Sequence, residues 1–192
     1  VKVLSNAASV PDDSPPIVRT LLHRDAKPSL LVELAVSMRK HGRGGSLLVV
    51  ASAEGPWRES IVEPMAYRVT PAYADEDLHR RVETVAGFTA VDGATVITES
   101  GELLAFGAKI ARRERRPRVE LVAASELIEG GTVQQVHPAQ LGGTRHLSAA
   151  QFVQDQREAV ALVASQDGRF TVFAWSSSLS LVHAYRVETF LV

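Results

Sequence analysis

Apolar residues recur at helical spacing between Pro28 and His41, where Leu31, Leu34, Ala35 and Met38 fall on one face. Pro28 suits a first helical turn, and the glycines at 42, 44 and 45 stop the helix. The pattern then changes. Ser46 to Ala51 (SLLVVA) is a short apolar run, which predicts a strand buried on both faces. Residues 53–73 carry Pro56, Pro64 and Pro71 and read as loop with short extended pieces. A second helical period covers Asp75 to Phe88, with Leu78, Val82, Val85 and Ala86 on one face and acids in the first turn. Strands are predicted at Ala94–Thr98 (ATVIT), at Leu103–Ile110 after a Ser100-Gly101 turn, and at Arg118–Ala123. Thr144–Gln156 reads as a third helix with Ala149, Ala150 and Val153 inward. Ala159–Ala164 reads as a buried strand, joined by a two-residue Asp167-Gly168 hairpin turn to Phe170–Trp175. The tail, Leu179–Val192, fits helix and strand equally. Residues 1–25 hold Pro11, Pro15 and Pro16 around Asp12, Asp13 and Ser14 and read as an arm or linker, with a short helix at Ile17–Leu22. Residues 26–192 read as one domain. Runs of strands without strict alternation with helices predict an α/β domain built on a central mixed, largely antiparallel sheet flanked by helices.

Composition narrows the function classes. The 192 residues are 45% hydrophobic and 22% charged, which suits one globular core. Lys plus Arg number 21 against 22 Asp plus Glu, a net charge of −1, which argues against a general nucleic-acid or membrane-surface coat. The absence of cysteine excludes disulfides, zinc–thiolate sites and cysteine nucleophiles. No run approaches the roughly 18 apolar residues that span a bilayer, and no signal-peptide layout opens the chain. A cytoplasmic location without membrane contact is the expectation. The first residue is Val1 rather than Met, so the sequence reads as a processed chain or a piece of a longer protein with other domains fused to it.

Common catalytic signatures are missing. There is no GxxxxGK[ST], HExxH or GxSxG, and no GxGxxG between strand and helix. Gly42-Arg43-Gly44-Gly45 follows a helix and precedes a strand, the wrong order for a phosphate cradle, and reads as a helix stop. The histidines are scattered without paired metal spacing. Arg112, Arg113, Arg115, Arg116 and Arg118 admit two readings: a solvated connection between strands, or a mobile cationic flap near a polyanionic ligand.

Two segments carry sharper chemistry. Asp92-Gly93-Ala94 precedes a strand; Asp-Gly alone is an ordinary turn. Gly142-Gly143-Thr144-Arg145-His146 opens a helix, where Thr144 alone would serve as an N-cap. Together, free helix N–H groups, a flexible glycine approach, a hydroxyl, a guanidinium and an imidazole make a receptor for phosphate oxygens. Asp92 complements it as a ligand for a divalent cation or a ribose hydroxyl.

The order of these motifs resembles the nucleotide-binding domain of diadenylate cyclases, the bacterial family that includes the DNA-integrity scanning protein. The counterparts are Asp92-Gly93-Ala94, then Gly143-Thr144-Arg145-His146, then Val160 to Ser165 with Gln166-Asp167-Gly168. Residues 1–25 and the end of the tail lie outside the resemblance. It implies the family's fold and its reaction, the joining of two ATP molecules into cyclic di-AMP between two facing domains. It also implies residue roles. Asp92, catalytic in an active member, binds a magnesium or manganese ion beside the 3′-hydroxyl. Gly93 and Ala94 let backbone approach the nucleotide, while Gly143, Thr144, Arg145 and His146 grip phosphates and Ser165 lies beside them. Two positions depart from the family pattern: Leu147 stands where a second arginine is expected, and Gln166 where a glutamate metal ligand is expected. Losing a cation and a carboxylate weakens catalysis more than binding.

Three functional readings follow. The first is a sensor domain that binds ATP or a related cyclic nucleotide with weakened or absent catalysis. The second is an active diadenylate cyclase, a nucleotidyltransferase needing a divalent metal. The third is a partner-docking domain in which the motifs are only turns and caps. A homodimer or higher oligomer is compatible with the first two.

Overall fold

A computed structural model describes residues 30–62, 67–68, 77–126 and 132–187, together with Ser14 and Arg19. The helix expected at Ile17–Leu22, Pro28, the start of the helix expected at Asp75, and the end of the tail lie outside the described residues, Arg19 apart. Ser14, within the expected arm, is buried and shares a 2.6 Å hydrogen bond with the Tyr185 hydroxyl.

Among the described residues, the α-helices α1 (Leu30–Lys40), α2 (Leu78–Thr89) and α3 (Thr144–Asp155) pack on one large mixed sheet. Its strands are β1 (Gly45–Val50), β2 (Ile61–Val62), β3 (Tyr67–Arg68), β4 (Ala94–Thr98), β5 (Leu103–Ile110), β6 (Val122–Glu126), β7 (Gln134–Val136), β8 (Val160–Ala164), β9 (Phe170–Ser176) and β10 (Leu181–Val187). They lie in the order β2-β5-β4-β1-β8-β9-β10-β6-β7, and β3 also pairs with β5. The pairs β1–β4 and β6–β10 are parallel and the others antiparallel. The chain is therefore a mixed α/β fold dominated by its sheet. Among the described residues no helix is long and apolar enough to cross a membrane.

Alternation along β1 explains the layering. Leu47 and Val49 join the core beneath α1 and α2, while Leu48 and Val50 join the opposite core beneath α3. All six β1 residues are buried, so the strand needs apolar side chains on both faces. α1 contributes Leu31, Leu34, Ala35 and Met38 to its core, and α3 contributes Ala149, Ala150, Phe152 and Val153 to the other. Gly42, at φ 61°, follows α1 and donates its N–H to the Arg39 carbonyl, the helix stop expected there.

Several local expectations change. α2 starts at Leu78, and Asp77 caps it by accepting the Arg80 N–H at 2.9 Å; no acid stands in the first turn. The strand expected at Arg118–Ala123 is β6, Val122–Glu126, because the Val119 N–H donates to the Gln151 side chain of α3 instead of to a strand. Five residues, Ser165 to Arg169, lie between β8 and β9 rather than two. Ser165 and Arg169 close the loop, and Gly168 takes the left-handed position at φ 82°. The ambiguous tail is strand β10 over Leu181–Val187.

The arginine-rich connection is tied to α3. Asp155 accepts the Arg113 N–H at 2.7 Å, Gln151 accepts the Val119 N–H at 2.9 Å, and the Gln151 and Gln154 amides both donate to the Pro117 carbonyl. These bonds anchor the backbone at both ends of the stretch, and residues 114–116 between them are exposed.

Candidate functional site

Sheet register assembles the site. Ser46, at the start of β1, lies opposite Ala94 of β4 on one side and Val163 of β8 on the other. Ala94 in turn lies opposite Ala108, near the end of β5. The start of β4, the end of β5 and the β8–β9 loop thus meet at one end of the sheet. α3 covers the same face, as its packing against Leu48, Ala94 and Val163 shows. A cavity of about 920 Å³ opens there.

Every residue singled out from the two motifs lines this cavity. Asp92, Gly93 and Ala94 come from the start of β4, Gly143, Thr144, Arg145 and His146 from the start of α3, and Ser165 and Gln166 from the β8–β9 loop. Leu147 does not. It faces a smaller neighbouring cavity instead. The sequence reading missed Ser46, Lys109, Ser148, Asp167 and Arg169, which complete the wall. Lys109 had a signal, as the one charge in the apolar run LLAFGAKI.

Gly143, not Thr144, is the N-cap of α3, and no side chain bonds the helix start. Thr144 is the first helical residue, so its hydroxyl stands at an uncapped helix end, where free N–H groups favour an anion. The Arg145 guanidinium lies beside Gly44. A Cβ added to Gly44 would come within 3.1 Å of Arg145 Nη1 and 3.3 Å of Gln166 Cγ. The glycine of the helix stop thereby also makes room for the arginine. No carboxylate among the described residues pairs with Arg145 or Lys109, whereas Arg169 pairs with Asp167 at 3.1 Å. Two unpaired cations and one exposed carboxylate, Asp92, are left around the cavity.

Gly93 has a structural role beyond the expected one. Its φ is 100°, and an added Cβ would lie 2.6 Å from the Gly107 carbonyl carbon. The absent side chain serves the contact between the start of β4 and β5, independent of any ligand.

His146 is 2% exposed. Its Nε2 lies 3.4 Å from the Thr171 hydroxyl, and its ring meets Phe173 edge-on at 6.0 Å. A Cβ on Gly142 would collide with the ring. Burial lowers its pKa from the ordinary 6.5; Asp167 opposes that shift, and Arg169 and Arg186 reinforce it. His146 therefore faces the cavity as a neutral, packed imidazole, and the positive charge comes from Arg145 and Lys109. The unfolded chain binds a proton near 6.5 that the folded chain resists. This contribution to stability is full above that value and is lost as pH falls through it towards the lower folded value. Between about pH 7.5 and about pH 5.5, the wild type is expected to lose more stability in urea melts than His146→Gln. Parallel losses in the two proteins would contradict the assignment.

Among the described residues no three His, Cys, Asp or Glu side chains group as metal ligands. Asp92, in a lining that also holds the neutral Gln166, fits a cation that arrives with ligand phosphates, since magnesium often takes one or two carboxylates plus phosphate oxygens. It does not fit a cation held by protein groups alone.

No protein-family model matches the chain, and no curated protein matches it. Among solved structures, it is similar to a hypothetical membrane spanning protein from Bacillus cereus, at 11% identity and a TM-score of 0.47. The match covers 81% of this chain and 61% of that one, so this chain spans less than two-thirds of that protein's length.

Proposed function

We propose that the domain binds ATP or a related cyclic adenine nucleotide as a sensor, with weakened or absent catalysis, in the manner of a divergent diadenylate cyclase-like domain. One observation carries this reading: Asp92 and the uncapped start of α3 line the same cavity, although far apart in sequence. Arg145, Lys109 and the first N–H groups of α3 supply phosphate recognition, and the Thr144, Ser148 and Ser165 hydroxyls supply further hydrogen bonds. Asp92 faces the ribose or a magnesium or manganese ion carried by the phosphates; when bound, that ion neutralises phosphate charge. Gln166 offers only a neutral amide at the position where a second carboxylate would strengthen metal binding. That combination favours binding over turnover.

Calorimetric titration with ATP and cyclic di-AMP, followed by chromatography of ATP incubations with magnesium or manganese, separates the readings. Binding without product is the expected result. Cyclic dinucleotide formation that Asp92→Asn abolishes would establish the active cyclase instead. Silence towards every nucleotide would overturn both and leave the docking reading.

A further inference from the structure

Arg145 is half-buried in the lining of the main cavity, and among the described residues no hydrogen bond or ion pair holds its guanidinium. Packing places it instead. The guanidinium lies against Gly44, in the turn between α1 and β1, with the Gln166 side chain and the Ala164 carbonyl alongside. A Cβ added to Gly44 would stand 3.1 Å from Arg145 Nη1 and 3.3 Å from both Gln166 Cγ and the Ala164 oxygen. The slot exists because residue 44 has no side chain. Gly44 does not itself line the cavity, so it stands behind the arginine rather than against a ligand. Placement by shape leaves every guanidinium N–H free for phosphate oxygens, and it spares part of the ordering cost of binding. Backbone conformation alone does not account for this glycine. Gly42, two residues earlier in the same turn, has φ 61° against 70° for Gly44, yet a Cβ there would meet nothing within 4 Å. Both positions favour a left-handed residue, which asparagine also tolerates. Position 44 needs the empty space as well.

We infer that Gly44 is a positioning residue for phosphate recognition: it seats the Arg145 guanidinium in the cavity wall, and a side chain at 44 displaces that cation from the phosphate. The inference rests on the nucleotide reading of the main cavity. It gives the glycine-rich turn a part in the site although the turn lies in the wrong order for a phosphate cradle. The turn places the cation and does not touch the anion.

The test titrates ATP into the wild type, Gly44→Asn and Gly42→Asn, and repeats the Gly44→Asn comparison in an Arg145→Ala background. Asparagine keeps the left-handed turn at both positions. Gly42→Asn is expected to bind within about twofold of wild type and Gly44→Asn about tenfold more weakly, the loss of one charge-assisted contact. In the Arg145→Ala background Gly44→Asn should change affinity by less than about twofold, because the cation it displaces is already gone. A side chain that only blocked the ligand or loosened the fold would weaken binding there too. Melting curves establish that each variant is folded at the titration temperature. Should Gly44→Asn fail to fold, Gly44→Ala carries the same comparisons against Gly42→Ala, with an expected loss of about threefold. Wild-type affinity in the Gly44 variant, equal weakening in the Gly42 variant, or the same loss in both backgrounds would overturn the inference and leave the nucleotide reading standing. A wild type that binds no ATP would overturn both.

Discussion

Gly93→Ala is expected to lower the melting temperature by about 10 °C. Two costs add at this position. A side chain at φ 100° is strained wherever it points, and the new Cβ would lie 2.6 Å from the Gly107 carbonyl carbon, against backbone that cannot swing aside. Left-handed backbone costs roughly 1–2 kcal/mol for a residue with a Cβ, and overpacking adds about 1–3 kcal/mol. About 3 kcal/mol corresponds to roughly 6–12 °C for a domain of this size. Gly143→Ala is the matched control. Gly143 has φ −78° and nothing within 4 Å of an added Cβ, so only the poorer N-capping of alanine remains, about 1 kcal/mol, and its melt is expected to fall by no more than about 4 °C. If both variants melt alike, the close approach of β4 and β5 is wrong as described.

Arg145→Ala is expected to weaken ATP binding about 100-fold with no change in melting temperature. The guanidinium makes no ion pair among the described residues, so its removal strands no buried charge. What is lost is its grip on phosphate. Charge-assisted hydrogen bonds contribute about 1.5–3 kcal/mol each, and a bidentate arginine contact reaches the factor of about 100. Arg145→Lys should recover part of the affinity, keeping the charge but losing the planar fork. Raising the salt concentration should weaken wild-type binding more than that of Arg145→Ala. A variant that binds as well as wild type would remove Arg145 from the site.

The central strands were legible because their chemistry is local. β4 and β5 match the expected limits, Ala94–Thr98 and Leu103–Ile110, since buried strands must be apolar along their length. β7 was missed, because Gln134 and Gln135 are exposed and only pairing with β6 makes them a strand. The shift of β6 has a similar origin: Val119 is apolar and buried, yet its N–H bonds a helix side chain. Sequence order located both halves of the cavity, but the register that joins them depends on Ser46 lying between Ala94 and Val163, which no local pattern reveals. His146 looked like a phosphate ligand by composition. Its burial against Thr171 and Phe173 depends on β9, a separate part of the chain. Lys109 escaped because the run around it reads as strand first.

The most direct measurement of the nucleotide assignment is diffraction from crystals grown with a non-hydrolysable ATP analogue. The triphosphate should lie between Asp92 and the start of α3, within hydrogen-bond reach of Arg145. A nucleotide seated elsewhere on the domain, or an empty cavity at saturating concentration, would contradict it.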